Sequence, residues 1–317
     1  MARSDSQPDE SRREGGGHVP GTDGQVAFEL TAPEPSPVPV LIAVPHGGRA
    51  YAPDLVERMR HPRAAALRLE DRYTDRLGEA VAARTGAALL VARAPRAMID
   101  LNRATDDVDW DMFALGRHQK GGTPIGLRAR SGLGLIPRRL PGLGEIWKRK
   151  HEEAELDERV SHIHEPYHAC TERELERLRK RWGAALLVDL HSMPPLGLRG
   201  AQPPSEFVIG DRFGAACDGT LVAAAFGFFA EQRRLAGHNR PYAGGYVLDR
   251  HAAPHNGIHA LQLEIDRSSY LDRAMVEPGD GFDAMIDLLS GLVTRLAETV
   301  ADIGRGDPDR RWPIAAE

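Results

Sequence analysis

The chain has 317 residues, 41% hydrophobic and 27% charged, with a formal net charge of -5. That is the composition of a soluble globular protein with material for one large core or two modest ones, and it excludes a disordered chain. The acidic balance argues against a general nucleic-acid binder, and no run of about 18 apolar residues marks a membrane span, so small molecules are the expected partners.

Residues 1–25 mix Ser, Asp, Glu, Arg and Gly with almost no large apolar side chains, which reads as a flexible tail ahead of one α/β domain over 26–317. The tail has no apolar stretch after a basic start, so the expected location is cytoplasmic. A short strand at 27–30 precedes a proline-rich connector, and Val40 to Val44 reads as the first core strand. Residues 64–85 have helical spacing through Leu67, Leu69, Leu77, Ala80 and Val81, with Gly86 placed to stop the helix. Residues 87–92 read as the next strand, and strand, helix, strand implies a crossover unit with a partly parallel sheet. Residues 116–144, rich in Gly, Pro and Arg, read as a long loop able to cover a site.

A largely helical region follows from Glu145 to Trp182, with Pro166 marking a kink or break. Strands are expected at 185–190, 207–209, 246–248 and 260–265. Helices are expected at 221–235 and 282–303, the latter amphipathic through Met285, Leu288, Leu289, Leu292, Leu296 and Val300.

Only Cys170 and Cys217 occur, both read as small buried side chains, so a metal would have to draw on His, Asp and Glu. Two apolar runs end in histidine: Val40-Leu41-Ile42-Ala43-Val44 before His46-Gly47-Gly48, and Ala185-Leu186-Leu187-Val188 before Asp189-Leu190-His191-Ser192. In open α/β sheets ligands collect outside the carboxyl ends of strands. A hydrolytic zinc site takes three ligands from His, Asp and Glu and leaves one position open. His46 and His191 supply two nitrogens, and the run Glu70-Asp71-Arg72-Tyr73-Thr74-Asp75 offers the carboxylate. Asp71 and Asp75 are four apart on one helical face. Asp71 is the choice, with Asp75 either supporting it or replacing it, and Glu70 the remaining alternative. Asp189, two residues before His191 on the same strand face, can orient that imidazole or simply cap or form a salt bridge.

Gln262 and Glu264 share a strand face among residues that want burial, so Glu264 either has a strong ion-pair partner or acts as general base toward an activated water. In Asp100-Leu101-Asn102-Arg103, the Arg103 fork with Asn102 beside it suits a substrate carboxylate, and Arg96 suits a developing oxyanion. The loop Asn239-Arg240-Pro241-Tyr242-Ala243-Gly244-Gly245-Tyr246 reads either as a substrate contact through Arg240, Tyr242 and Gly245 or as a turn before a strand. It lacks the spacing of a phosphate loop.

In order, Val44-Pro45-His46-Gly47-Gly48, the acidic run Glu70 to Asp75, Arg96 with Asp100-Leu101-Asn102-Arg103, Asp189-Leu190-His191-Ser192, Gly244-Gly245-Tyr246, and Gln262-Leu263-Glu264 with Tyr270 resemble the N-formylglutamate amidohydrolase family. They are more distantly similar to zinc carboxypeptidases and acylamino-acid deacylases. The resemblance implies a three-layer α/β/α fold with a mixed, mostly parallel central sheet, of the zinc-carboxypeptidase-like, phosphorylase/hydrolase-like type. It also implies one catalytic zinc, or another divalent ion, and hydrolysis of an N-formyl or short N-acyl amino acid, with N-formyl-L-glutamate giving formate and L-glutamate in histidine degradation. By position His46, Asp71 and His191 resemble the metal ligands, Glu264 the general base, Asn102 and Arg103 the grip on the α-carboxylate, and Arg96 the oxyanion partner. A side-chain carboxylate on the substrate needs a second cation, for which Arg240 and Arg267 are candidates.

Two departures stand out: Arg49 where zinc carboxypeptidases carry glutamate, and His46-Gly47-Gly48 where the family often reads His-Ser-Gly. The alternatives are a metallocarboxypeptidase-like peptidase and a non-catalytic metal- or ligand-binding protein. Glu264 favours an enzyme, since a binder has no need of a buried base.

Overall fold

The computed structural model describes residues 10–114, 126–197 and 203–306. They form an α/β fold whose mixed central sheet is flanked by helices, in two compact units. Of the described residues, the first unit holds those up to Pro37 and within Ile42–Cys170, and the second holds Val38–Leu41 and those from Thr171. No helix among the described residues is long and apolar enough to cross a membrane.

In the first unit the strand order is β1 (Glu10–Gly16), β2 (Phe28–Glu34), β4 (Ala88–Ala92) and the later part of β3 (Val40–Val44). β1 is the main departure from the sequence reading, because it lies inside the segment taken for a tail. It pairs antiparallel along β2 from Glu10↔Glu34 to Gly16↔Phe28. Its side chains alternate between exposed and half-buried, so its polar composition suits an edge strand whose role is to satisfy the backbone of β2. β3 and β4 are buried at every position, the pattern of strands covered on both faces.

The helix expected over 64–85 is two helices, α2 (Pro62–Leu69) and α3 (Thr74–Thr85), after a short α1 (Pro53–Arg58). Between them Glu70 is extended and Tyr73 takes a left-handed conformation at φ 60°, while the Asp71 N–H leaves the helical ladder to bond the His46 carbonyl at 3.0 Å. The acidic run therefore sits in a helix break rather than along a helical face. The break exists because the segment is tied to the end of β3. α3 packs on β4 and ends at Gly86, as expected.

Within 116–144, residues 116–125 lie outside the described residues, and the rest contains α4 (Leu127–Arg130) and β5 (Arg139–Leu140), which pairs with β6 (Gly144–Glu145). Downstream, α5 (Glu153–Arg159), a π-helical turn Val160–His164 and α6 (Glu165–Trp182) follow without interruption. Pro166 does not break this run. In an α-helix the N–H of residue 166 would reach the carbonyl of His162. Proline has none, and that carbonyl accepts instead from the His18 N–H at 3.1 Å.

In the second unit the order is the start of β3, then β7 (Ala185–Met193), β10 (Ile258–Asp266), β8 (Phe207–Gly210) and β9 (Ala236–His238). β10 runs parallel to β7 and antiparallel to β8. α7 (Gly219–Glu231) packs on α9 (Phe282–Gly304), which also covers β7 through a stripe including Met285, Leu289, Leu292, Leu296 and Val300. The strand expected at 246–248 is instead helix α8 (Tyr246–His251), packed on β10. Three residues of strand propensity are outweighed by the glycine pair before them, which turns the chain into a helical start.

Downstream of β6, His151 is fully buried, edge-on to Trp147 at 4.6 Å between centroids. Burial, with Arg159 and Arg58 beside it, pushes its imidazole down to about 4 against Glu155, which bonds it at 2.9 Å. The neutral ring binds no proton in the folded state at pH values where the unfolded ring would. Its contribution is therefore complete above about 6.5 and is lost as the pH falls toward 4, up to about 3 kcal/mol in total. Urea unfolding of wild type should weaken steeply across that window, and the His151→Asn variant should show a flatter profile there.

Candidate active site

The first unit assembles its polar centre around Asp100, which is completely buried. The His46 Nε2–H donates to Asp100 Oδ1 at 2.7 Å, as does the Asn102 backbone N–H at 2.9 Å. Arg96 donates to Oδ2 through Nε and Nη2, each at 2.9 Å. Burial alone would raise this carboxyl, but Arg96, His46 and Arg103 overcome it and hold it well below the usual carboxylate range. With Nε2 committed to Asp100, His46 turns Nδ1 toward Asp71 Oδ2 at 3.5 Å. A ring nitrogen bonded to a carboxylate, with the other presented to a ligand position, is the usual arrangement of a metal-binding histidine. Gly48 follows His46 because a Cβ there would stand 2.2 Å from the Ala94 carbonyl oxygen.

The rivals of Asp71 are otherwise engaged. Arg49 holds both oxygens of Asp75, at 3.3 and 2.5 Å, so the residue that departs from the carboxypeptidase pattern has its own ion pair. Glu70 accepts from the Tyr51 hydroxyl and from Arg72, each at 2.9 Å, and burial raises its carboxyl. The Tyr73 ring in the helix break faces the guanidinium groups of Arg49, Arg72 and Arg76 at 5.0 to 5.6 Å, which offsets the strain of its left-handed backbone.

Arg103 donates from Nε to the Leu133 carbonyl at 2.9 Å and from Nη1 to the Asn102 carbonyl at 2.7 Å. These bonds leave Nη2 without a protein acceptor among the described residues. Burial lowers its pKa, Asp100 opposes that fall, and the nearby cations Arg96 and Arg128 add to it. An anion arriving here would relieve both effects.

Two histidines that carry no motif brace this loop. On α6 and the turn before it, His168 Nε2–H donates to the Leu101 carbonyl at 3.0 Å and His164 Nε2–H to the Arg103 carbonyl at 2.9 Å, while Arg159 reaches the Met98 carbonyl at 3.1 Å. His164 and His168 are both fully buried. Sequence reasoning passes over them as part of a charged helix, although their spacing of four places them on one face. It also passes over Asp100 as a partner for His46. The signal was a carboxylate inside the apolar run Met98-Ile99-Asp100-Leu101, the same signal that singles out Glu264.

The second unit builds its centre on two parallel strands. In register, Asp189 of β7 lies beside Gln262 of β10, and His191 beside Glu264, so the four share one face of the sheet. β7 extends through Met193, which puts His191 within the strand rather than beyond its end. His191 Nε2–H donates to Asp189 Oδ2 at 2.9 Å, and Gln262 Nε2–H donates to Glu264 Oε1 at 2.8 Å. Arg267, buried just after β10, donates to the Ser192 hydroxyl at 3.0 Å. Arg240 is exposed, and Tyr242 and Gly245 are half-buried, in a loop whose base is pinned by Asn239 on Asp211 at 2.6 Å.

Replacing His168 with Leu leaves the buried Leu101 carbonyl without its donor. It should cost about 1–3 kcal/mol in urea unfolding, and His168→Gln, which keeps a donor, should recover part of that loss.

A model of the N-formylglutamate amidohydrolase family matches residues 38–271. The chain is 32% identical over 243 residues to N-formylglutamate deformylase of Pseudomonas putida, covering 74% of this chain and 82% of that protein. It is 31% identical over 247 residues to N-formylglutamate deformylase of Pseudomonas aeruginosa, covering 74% and 83%. The solved N-formylglutamate amidohydrolase from Ralstonia eutropha JMP134 shares 32% identity over 88% of this chain and 99% of its own, with a TM-score of 0.78. With the family model matched over most of its length and the same family found among sequence relatives and solved structures, the chain belongs to the N-formylglutamate amidohydrolase family.

Proposed function

We propose that this protein is a zinc-dependent hydrolase of N-formyl-L-glutamate, yielding formate and L-glutamate, and that residues 26–317 act as one hydrolytic domain. The observation that carries the reading is that both candidate histidines tie Nε2 to a buried carboxylate, His46 to Asp100 and His191 to Asp189, which fixes the tautomer in which Nδ1 can serve a metal. Two imidazoles and the Asp71 carboxylate are a donor set suited to zinc with a position left open. When bound, zinc supplies Lewis-acid polarisation of the formyl oxygen and acidifies the attacking water.

The rest is done by this chain's own groups. Glu264, steadied at Oε1 by Gln262, takes a proton from the attacking water and passes it to the amide nitrogen as the C–N bond breaks, so the carboxylate is regenerated. Arg103 grips the α-carboxylate with the N–H groups not spent on Leu133 and Asn102, and Asn102 lies beside it. Arg96, held on Asp100, adds positive charge where the oxyanion develops. The substrate's side-chain carboxylate is taken by Arg267 or Arg240, with Tyr242 and Gly245 lining that side. A cytoplasmic enzyme of histidine degradation fits this reading.

Formate release from N-formyl-L-glutamate tests it. Glu264→Gln should lower kcat by about 10²–10⁴-fold while retaining metal, and a strong chelator should abolish activity that zinc restores. Full turnover by Glu264→Gln, or by the metal-free protein, would overturn the mechanism. Asp100→Asn should weaken metal affinity by about 10–100-fold, measured by competition with a zinc indicator.

A further inference from the structure

Outside the candidate active site, His18, Glu158 and His162 each offer a ligand atom, and these atoms all lie within 4.8 Å of one another. We infer that this triad is a second metal site, which takes a borderline divalent cation of the zinc class and fastens the N-terminal strand to the helix beside it. Two imidazole nitrogens and one carboxylate oxygen form the donor set that zinc prefers over magnesium or calcium.

The triad is positioned by the backbone. Glu158 and His162 are four residues apart on the run from α5 into the π turn, which places both on one side of it. His18 is brought there by its own N–H, which bonds the carbonyl of His162 at 3.1 Å, the acceptor released by Pro166. Gly17 makes that approach possible. It has φ +58°, and a Cβ on it would stand 2.1 Å from the His162 carbonyl oxygen.

Among the described residues the three side chains form no salt bridge and no side-chain hydrogen bond, although the charge of Arg159 acts on Glu158. The imidazole rings of His18 and His162 are 4.0 Å apart between centroids. His162 Nδ1 is buried and makes no hydrogen bond among the described residues, and the Glu158 carboxylate has no salt bridge among them. His18 and Glu158 are exposed and His162 is half-buried, so an ion can enter directly and water can complete its coordination. An ion held here cross-links the end of β1 to α5, two segments about 140 residues apart in the chain, and so stabilises the folded state by mass action.

Equilibrium dialysis of the full chain against Zn²⁺, with metal counted by atomic absorption, tests the assignment using His18→Ala, Glu158→Gln and His46→Ala. Relative to wild type, His18→Ala and Glu158→Gln should each bind one equivalent fewer and hydrolyse substrate at the wild-type rate. His46→Ala should keep the equivalent that His18→Ala loses, and zinc should raise its Tm, whereas the double variant His18→Ala/His46→Ala should show no such rise. If the active-site reading fails, wild type binds one zinc and His18→Ala none, which still upholds the second site. Equal zinc counts in wild type, His18→Ala and Glu158→Gln would overturn it.

Discussion

A carboxylate with no access to water must be compensated on every side, and Asp100 is the place where this chain meets that requirement. Removing an ionised carboxyl from solvent costs several kcal/mol, recovered only when charge and hydrogen-bond partners surround it. Asp100 gathers a guanidinium, an imidazole and a backbone N–H. Meeting its needs is what fixes the His46 tautomer, the direction of Nδ1, the seat of Arg96 and the turn that delivers Asn102 and Arg103. Asp189 plays the corresponding part for His191, which is its one side-chain partner among the described residues.

Support for that arrangement comes from below the loop as well as within it. The loop from Met98 to Arg103 has carbonyls facing inward, and donors on one helical run satisfy three of them: Arg159, His164 and His168. Irregular backbone survives burial only when its polar groups find such partners. The side chains of Asn102 and Arg103 gain precision from this, because the segment that carries them is held at several points.

Much of this was legible in the residues. Strand-end histidines, a carboxylate two residues before one of them, and Glu264 amid apolar neighbours each stand out against a simple statistical expectation about what is buried. The apolar runs at Val40–Val44 and Ala185–Leu190 and the stripe of the last helix were legible for the same reason, since burial on a fixed period leaves a direct mark. Other features depend on partners far away in the chain. β1 is polar because it lies at an edge, and only its pairing with β2 makes it a strand. The break at Glu70–Tyr73 comes from a hydrogen bond to His46, and helix propensity alone would have carried the helix through. Asp100 was read as part of a binding motif because its apolar neighbours mark it as buried but do not name the partner it orients, His46, 54 positions away.

The π turn at Val160–His164 has a geometric consequence. Such a turn is equivalent to one extra residue inserted into an α-helix, so it shifts the angular phase of everything beyond it by about 100°. Glu158 lies ahead of the shift, while His164 and His168 lie at its end and beyond. One helical run can thus show an outward ligand face and an inward bracing face whose directions are set independently. Deleting a single residue from the turn would restore ordinary helical phase and force the chain to give up one of the two.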